Sequence, residues 1–145
     1  MSVVPASAQA PVKLVNFTAD WCTSCKVFKP VLAVALEDFT NKDVELITVD
    51  LTHLRSGPDS KQATIEASKA LLRFHKAEYL WDWYGGFTGM AVMIAADTGE
   101  PMSCVDRRYS AKQITDTLVL SGILARKAAP GRRRPDGPDC PKPLR

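Results

Sequence analysis

Hydrophobic and polar positions follow two different periods along this chain, and the places where the period changes mark its elements. Val12 to Thr18 is a β-branched, weakly alternating apolar run bounded by Pro11 and a cysteine-bearing segment, which predicts a buried central strand. From Cys25 the spacing turns helical. Val27, Phe28, Val31, Leu32, Ala35, Leu36 and Phe39 recur at intervals of three and four, the stripe of a helix closed by Asn41 and Lys42. Pro30 stands inside it, where a missing backbone donor predicts a kink. Val44 to Asp50 reads as a second apolar strand.

The next stretch opens on the turn Ser56-Gly57-Pro58-Asp59, with Asp59 or Ser60 as a helix N-cap. Ile65, Leu72, Tyr79 and Trp83 then recur, with Leu71, Phe74 and Leu80 between them, and predict one long helix from about Ser60 to Trp83 that halts at Gly85-Gly86. Gly89 to Ala96 is a strand, Asp97-Thr98-Gly99 a hairpin turn, and Pro101 to Asp106 a returning strand whose proline places it at a sheet edge. Ser110 caps a last helix with Ile114, Leu118, Val119 and Ile123 on one face, reaching about Ala125. The order is β, α, β, α, then a β-hairpin and α, without internal repeat. Tyr79, Trp81, Trp83, Tyr84 and Phe87 concentrate aromatics near the end of the long helix, as packing beneath it or as an apolar lip toward a substrate or partner.

With 145 residues, 46% hydrophobic and 24% charged, the chain has the composition of one soluble globular domain, expected over 12–126. Residues 1–11 read as a flexible lead-in. Ala8 and Ala10 have the spacing of a leader-peptidase site, but only Val3 and Val4 stand where the apolar core of a leader belongs. No apolar run reaches the about 18 residues of a membrane span. The formal charge of +3 is concentrated at the C-terminus, from Arg126 onward, and leaves the body at −2. Residues 127–145 are Pro-, Gly- and charge-rich with little to bury and are expected to be a disordered basic tail. Its Arg132-Arg133-Arg134 run is read as solvated charge, so no nucleic-acid partner is expected, and the protein is expected to be a monomer.

The chemistry lies in Trp21-Cys22-Thr23-Ser24-Cys25-Lys26. Helical geometry places Cys22 at the start of the first helix and Cys25 one turn in, close enough to bridge. Unpaired backbone N–H groups and the positive end of the helix dipole stabilise a thiolate on Cys22, making it a nucleophile toward disulfides. A bridge across so short a loop adds little chain-entropy stabilisation, which argues against a purely structural role. Cys104 is read as a small buried hydrophobe and Cys140 as a bystander thiol. His53 and His75 have neither the spacing nor the neighbours of a zinc or catalytic pair, and no metal site is expected.

The segment Leu14-Val15-Asn16-Phe17-Thr18-Ala19-Asp20-Trp21-Cys22-Thr23-Ser24-Cys25-Lys26, with Pro30 five residues beyond, resembles the active-site strand and helix of the thioredoxin superfamily. Phe17 to Cys22 followed by Cys25-Lys26-Val27 is most similar to the C-terminal thioredoxin-like domain of bacterial DsbD-type thiol:disulfide interchange proteins. The resemblance runs over residues 12 to 125, Gly89 to Glu100 lying like the family's Gly-x-Pro-Thr strand and turn. It implies an α/β, thioredoxin-like fold: a central mixed β-sheet flanked by helices, here with a long helical insertion before the third strand. It also implies a thioredoxin-like protein-disulfide reductase. Its partners would be a disulfide-containing protein substrate and an upstream thiol reductant, and it needs no cofactor.

In that reading Cys22 attacks and Cys25 resolves the mixed disulfide. Trp21 limits water access, Lys26 adds positive field, Asp20 is an alternative proton acceptor, and the hydroxyls of Thr23 and Ser24 bond to the thiolate. Two departures bear on the site. Ala91 replaces the family's cis-proline in the substrate loop at Met90-Ala91, where a trans bond is expected because a non-proline cis bond costs about 2.5–4 kcal/mol. Asn16 replaces the buried aspartate that takes the proton of the second cysteine, and an amide cannot take it. Two readings from other classes stay open: a metal- or iron–sulfur-binding protein using Cys22 and Cys25, and a redox-inactive interaction module. The DsbD-like motif and the Ala8-Gln9-Ala10 segment lean toward an extracytoplasmic, periplasmic location, whereas thioredoxin itself and the missing leader lean cytoplasmic.

Overall fold

The computed structural model describes residues 9–134 and 140–144. Most of the expected lead-in, including Ala8, and residues 135–139 and 145 of the expected tail lie outside the described residues. Four strands, β1 (Val12–Thr18), β2 (Val44–Asp50), β3 (Met90–Ala95) and β4 (Pro101–Asp106), form one sheet in the order β2-β1-β3-β4. β1 pairs with β2 in parallel and with β3 antiparallel, and β3 with β4 antiparallel, so Pro101 lies on an edge strand where its missing donor is tolerated. The helices are α1 (Thr23–Leu36), α2 (Pro58–Phe74), α3 (Tyr79–Tyr84) and α4 (Ala111–Lys127), with a 3-10 turn at Thr52–Arg55. This is the mixed-sheet thioredoxin-like fold expected, with helical insertion between β2 and β3.

Strand alternation builds two cores. Val15, Phe17, Val92 and Ile94 join Leu72, Leu80 and Tyr84 on one side of the sheet; Val12, Leu14, Ala91 and Met93 join Phe28, Leu32, Ile114 and Leu118 on the other. The buried stripe of α1 is narrower than its apolar stripe, since Phe28, Leu32 and Ala35 are buried while Val27 is exposed, and α1 stops at Leu36. In α4 a capping box is complete: Gln113 N donates to Ser110 Oγ at 3.1 Å and Ser110 N to Gln113 Oε1 at 2.8 Å. Ile114 and Leu118 are buried as expected, but Val119 and Ile123 are exposed, and Ser121 and Gly122 take the inner positions.

The long helix from Ser60 to Trp83 is two helices, and it starts on Pro58 with Gly57 as its cap rather than on Asp59 or Ser60. Lys76 adopts a left-handed conformation, φ 62°. Ala77 N donates to Leu72 O and Lys76 N to Arg73 O, the paired bonds of a Schellman ending. Glycine is the usual residue there, and lysine leaves no such mark in the sequence. The break turns the chain so that Leu72, Leu80 and Tyr84 all reach one core.

The tail is expected to have little to bury, and its described residues are anchored by polar and covalent means. Arg133, 5% exposed, donates to both carboxylate oxygens of Asp97, to Glu100 Oε1 and to Ala128 O. Its guanidinium holds the Asp97 carboxyl below the usual carboxylate range, partly opposed by burial. A depressed folded-state value stabilises the fold above the unfolded value and loses that contribution as pH falls through the folded one. Thermal melts below about pH 4 are therefore expected to fall more steeply for the wild type than for Arg133→Ala; parallel curves would remove this pair from the acid response.

Candidate active site

β1 delivers the chain to the cysteines at the end of the sheet, and α1 begins on them. Cys22 is the N-cap of α1 with extended backbone angles, and its Sγ accepts the N–H of Cys25 at 3.1 Å. A sulfur in this place takes the role usually given to a serine or aspartate oxygen, and a thiolate accepts such bonds better than a thiol. Cys22 and Cys25 are joined as a disulfide with Cα atoms 5.2 Å apart, within the ordinary range for a bridge. Both are 6% exposed, so the two sulfurs differ in their places on the helix rather than in burial.

The structure distributes the other expected site residues unevenly. Trp21 is half-buried against the core that contains both cysteines, its Nε1 donates to Thr52 O at 2.9 Å, and the Arg55 guanidinium lies 3.5 Å above its ring. Asp20 N donates to Thr52 Oγ1 at 2.9 Å, and Thr52 Oγ1 donates to Asp50 Oδ1 at 2.6 Å. The Thr52 hydroxyl and backbone N–H hold the Asp50 carboxyl below its usual range. Thr23 and Lys26 are exposed on the first turn of α1, and Ser24 is half-buried. Thr52 and Arg55 were not singled out in the sequence, because a short turn between a strand and a helix carries no periodic signal.

Asn16 and Cys25 line one groove of about 390 Å³ under α1, together with Asp20, Asp50, Leu46 and Thr48. The groove brings two carboxylates to the neighbourhood of the second cysteine while the amide at position 16 takes no proton. Cys25 Sγ also lies 4.0 Å from Phe17 O.

The expected substrate loop keeps its trans bond but turns a different residue toward the thiols. All described peptide bonds are trans, including Met90-Ala91. Met90 shares the core with the cysteines, whereas Ala91, fully buried and paired with Asn16 across the sheet, belongs to the opposite core. The residue set against the thiols is Gly89, at φ +83°, where a Cβ would lie 2.8 Å from Ser24 Cβ and 3.6 Å from Cys22 Sγ. Gly89→Ala is expected to cost about 2 kcal/mol from the left-handed backbone alone, more from the clash, and to slow Cys22 by displacing Ser24. Urea unfolding and alkylation of reduced Cys22 check it; wild-type values in both would mean that the loop relaxes freely.

Tyr84 is buried and stacked on Phe87, with ring centroids 6.0 Å apart, and Tyr79 packs edge-on to Trp83 at 4.9 Å. The aromatic segment thus serves packing at Tyr84, while Phe87 borders a groove of about 300 Å³ with Ser24, Gly89, Met90 and Arg107. Cys104 and Cys140, read separately as a buried hydrophobe and a bystander, are bonded to each other. A 36-residue separation gave no hint of it. His53 Nδ1 lies 3.2 Å from Ser56 Oγ, and His75 Nδ1 accepts from Lys13 Nζ at 2.9 Å.

Comparison with known proteins places the chain. A thioredoxin of Buchnera aphidicola subsp. Schizaphis graminum (strain Sg) is 34% identical over 68 residues, 46% of this chain, and the chain spans 59% of that relative's length. Among solved structures, a thioredoxin-related protein from Neisseria meningitidis serogroup B is similar over 82% of this chain and 90% of its own, at 16% identity and a TM-score of 0.49. StoA from Bacillus subtilis is similar over 78% and 84% of the two chains, at 19% identity and a TM-score of 0.46. The family model described as Thioredoxin matches residues 4–90. That match takes in β1, the cysteine pair and everything up to β3, and on it the chain belongs to the thioredoxin family.

Proposed function

We propose that the protein is a thiol:disulfide oxidoreductase that reduces or exchanges disulfides of protein substrates. The observation that carries this reading is the Cys22–Cys25 bridge at the N-terminus of α1, with Cys22 as the helix cap. In the reduced enzyme the Cys22 thiolate attacks one sulfur of a substrate disulfide; the other leaves as a thiolate. Cys25 gives up its proton into the groove it shares with Asp20 and Asp50 and attacks Cys22 Sγ, which frees the second substrate thiol and restores the bridge. Two electrons and two protons reach the substrate, and an upstream dithiol returns the bridge to the reduced form.

The finer reading is a reductase like the C-terminal domain of DsbD-type proteins, working outside the cytoplasm. It is supported by the motif Phe17 to Cys22 followed by Cys25-Lys26-Val27. Among the described residues no helix is long and apolar enough to cross a membrane. Substoichiometric protein is expected to accelerate the reduction of insulin by dithiothreitol, followed by turbidity. A rate no faster than with Cys22→Ser would reject the reading. The reduction potential of the couple then decides direction, a value near about −270 mV marking a reductant and one near about −120 mV an oxidant.

A further inference from the structure

The second disulfide sits beside the route a protein substrate would take. Cys104, 2% exposed in β4, belongs to the core that also contains Cys22, Cys25 and Met90, and half-buried Cys140 packs against that core. The next residue, Pro141, forms part of the wall of the groove bordered by Ser24, Phe87, Gly89 and Met90. Two hydrogen bonds continue the attachment: Tyr84 Oη donates to Pro141 O at 2.8 Å, and Leu144 N to Trp83 O at 3.0 Å. Residues 140–144 are thus a strap laid along α3 and the loop that faces Cys22. Lys142, Pro143 and Leu144 are exposed, so beyond those two bonds the strap depends on its covalent anchor.

We propose that Cys104–Cys140 is a second dithiol–disulfide site, a redox latch that sets how open the groove beside Ser24 and Gly89 is to a bulky partner. Its co-substrate is a dithiol. One thiolate of the dithiol attacks Cys140 Sγ, the more exposed sulfur, and Cys104 leaves as a thiolate. The second thiol of the dithiol then attacks the sulfur bound to Cys140, so the dithiol becomes a disulfide and two electrons and two protons pass to Cys104 and Cys140. The freed strap withdraws Pro141 from the groove wall, and exchange of the two thiols with a disulfide, which is itself reduced to a dithiol, restores it. This rests on the reading of that groove as the approach to Cys22.

The test uses the full chain purified without reductant, so that both bridges start closed, beside Cys140→Ala and Tyr84→Phe. Cys140→Ala leaves Cys104 in its buried place, and Tyr84→Phe keeps the ring stacked while removing one bond to the strap. Hydrogen–deuterium exchange over residues 85–90 is expected to rise about fivefold in Cys140→Ala and less, in the same direction, in Tyr84→Phe. In a single turnover, the oxidised Cys22–Cys25 pair should take electrons from reduced insulin B chain about threefold faster in Cys140→Ala, and from dithiothreitol at an unchanged rate. Exchange equal to wild type in Cys140→Ala overturns the latch; if that variant does not fold, equal exchange in Tyr84→Phe does. Alkylation of Cys104 and Cys140 in untreated wild type also overturns it. Failure of every protein to react with either thiol donor rejects disulfide exchange, while the exchange measurement still decides the latch.

Discussion

Cys22→Ser is expected to lower insulin reduction by about three orders of magnitude or more, since it removes the nucleophile itself. Cys25→Ser should instead stall the reaction halfway. Its Cys22 still attacks, but nothing resolves the mixed disulfide, so a covalent adduct with the substrate accumulates and disappears when dithiothreitol is added. The two sulfurs are equally buried, and the assignment rests on their places in α1. Cys22 caps the helix and accepts the N–H of Cys25, a bond that strengthens when the sulfur carries charge. Non-reducing electrophoresis of both variants with a disulfide-bonded protein distinguishes them. An adduct formed by Cys22→Ser and not by Cys25→Ser would reverse the roles.

The second large effect is on stability. Cys104 and Cys140 are separated by 36 positions, and closing a loop of that length removes about 3–4 kcal/mol of chain entropy from the unfolded state. The Cys22–Cys25 loop, with a separation of 3, is worth only about 2 kcal/mol on the same reasoning. Against a total of about 5–15 kcal/mol for a single domain, loss of the longer bridge is a large fraction. Cys140→Ala is the cleaner variant, because Cys104 keeps its buried place and no cavity opens in β4. Urea unfolding without reductant should show the loss as a lower midpoint. A difference from wild type below about 1 kcal/mol would mean that the bridge does not constrain the unfolded chain.

Much of this was open to sequence reasoning because it is local. The strand at Val12–Thr18, the helix after Cys22 and the capped α4 follow from periods of two and 3.6 and from end signals within a few residues. The cysteine pair was legible for the same reason, as a spacing of three fixes its geometry once the helix is granted. The single helix over Ser60–Trp83 failed because its break depends on Lys76 entering a conformation for which glycine is the usual marker. The tail was read on hydrophobicity, a criterion blind to the guanidinium of Arg133 and the sulfur of Cys140 that anchor its described residues.

By itself, then, the sequence determined the elements, their order and the reactive pair, each set by backbone geometry and side-chain spacing over a turn or two. Only the tertiary structure decided which residue faces that pair and what lies beside it. Sheet order carries Gly89 from the far end of the insertion to within contact of Cys22, and it moves Ala91 to the other core. Loop closure joins β4 to the last residues through Cys104 and Cys140. Such pairings depend on where distant segments meet after the core has formed, and no local period encodes that meeting.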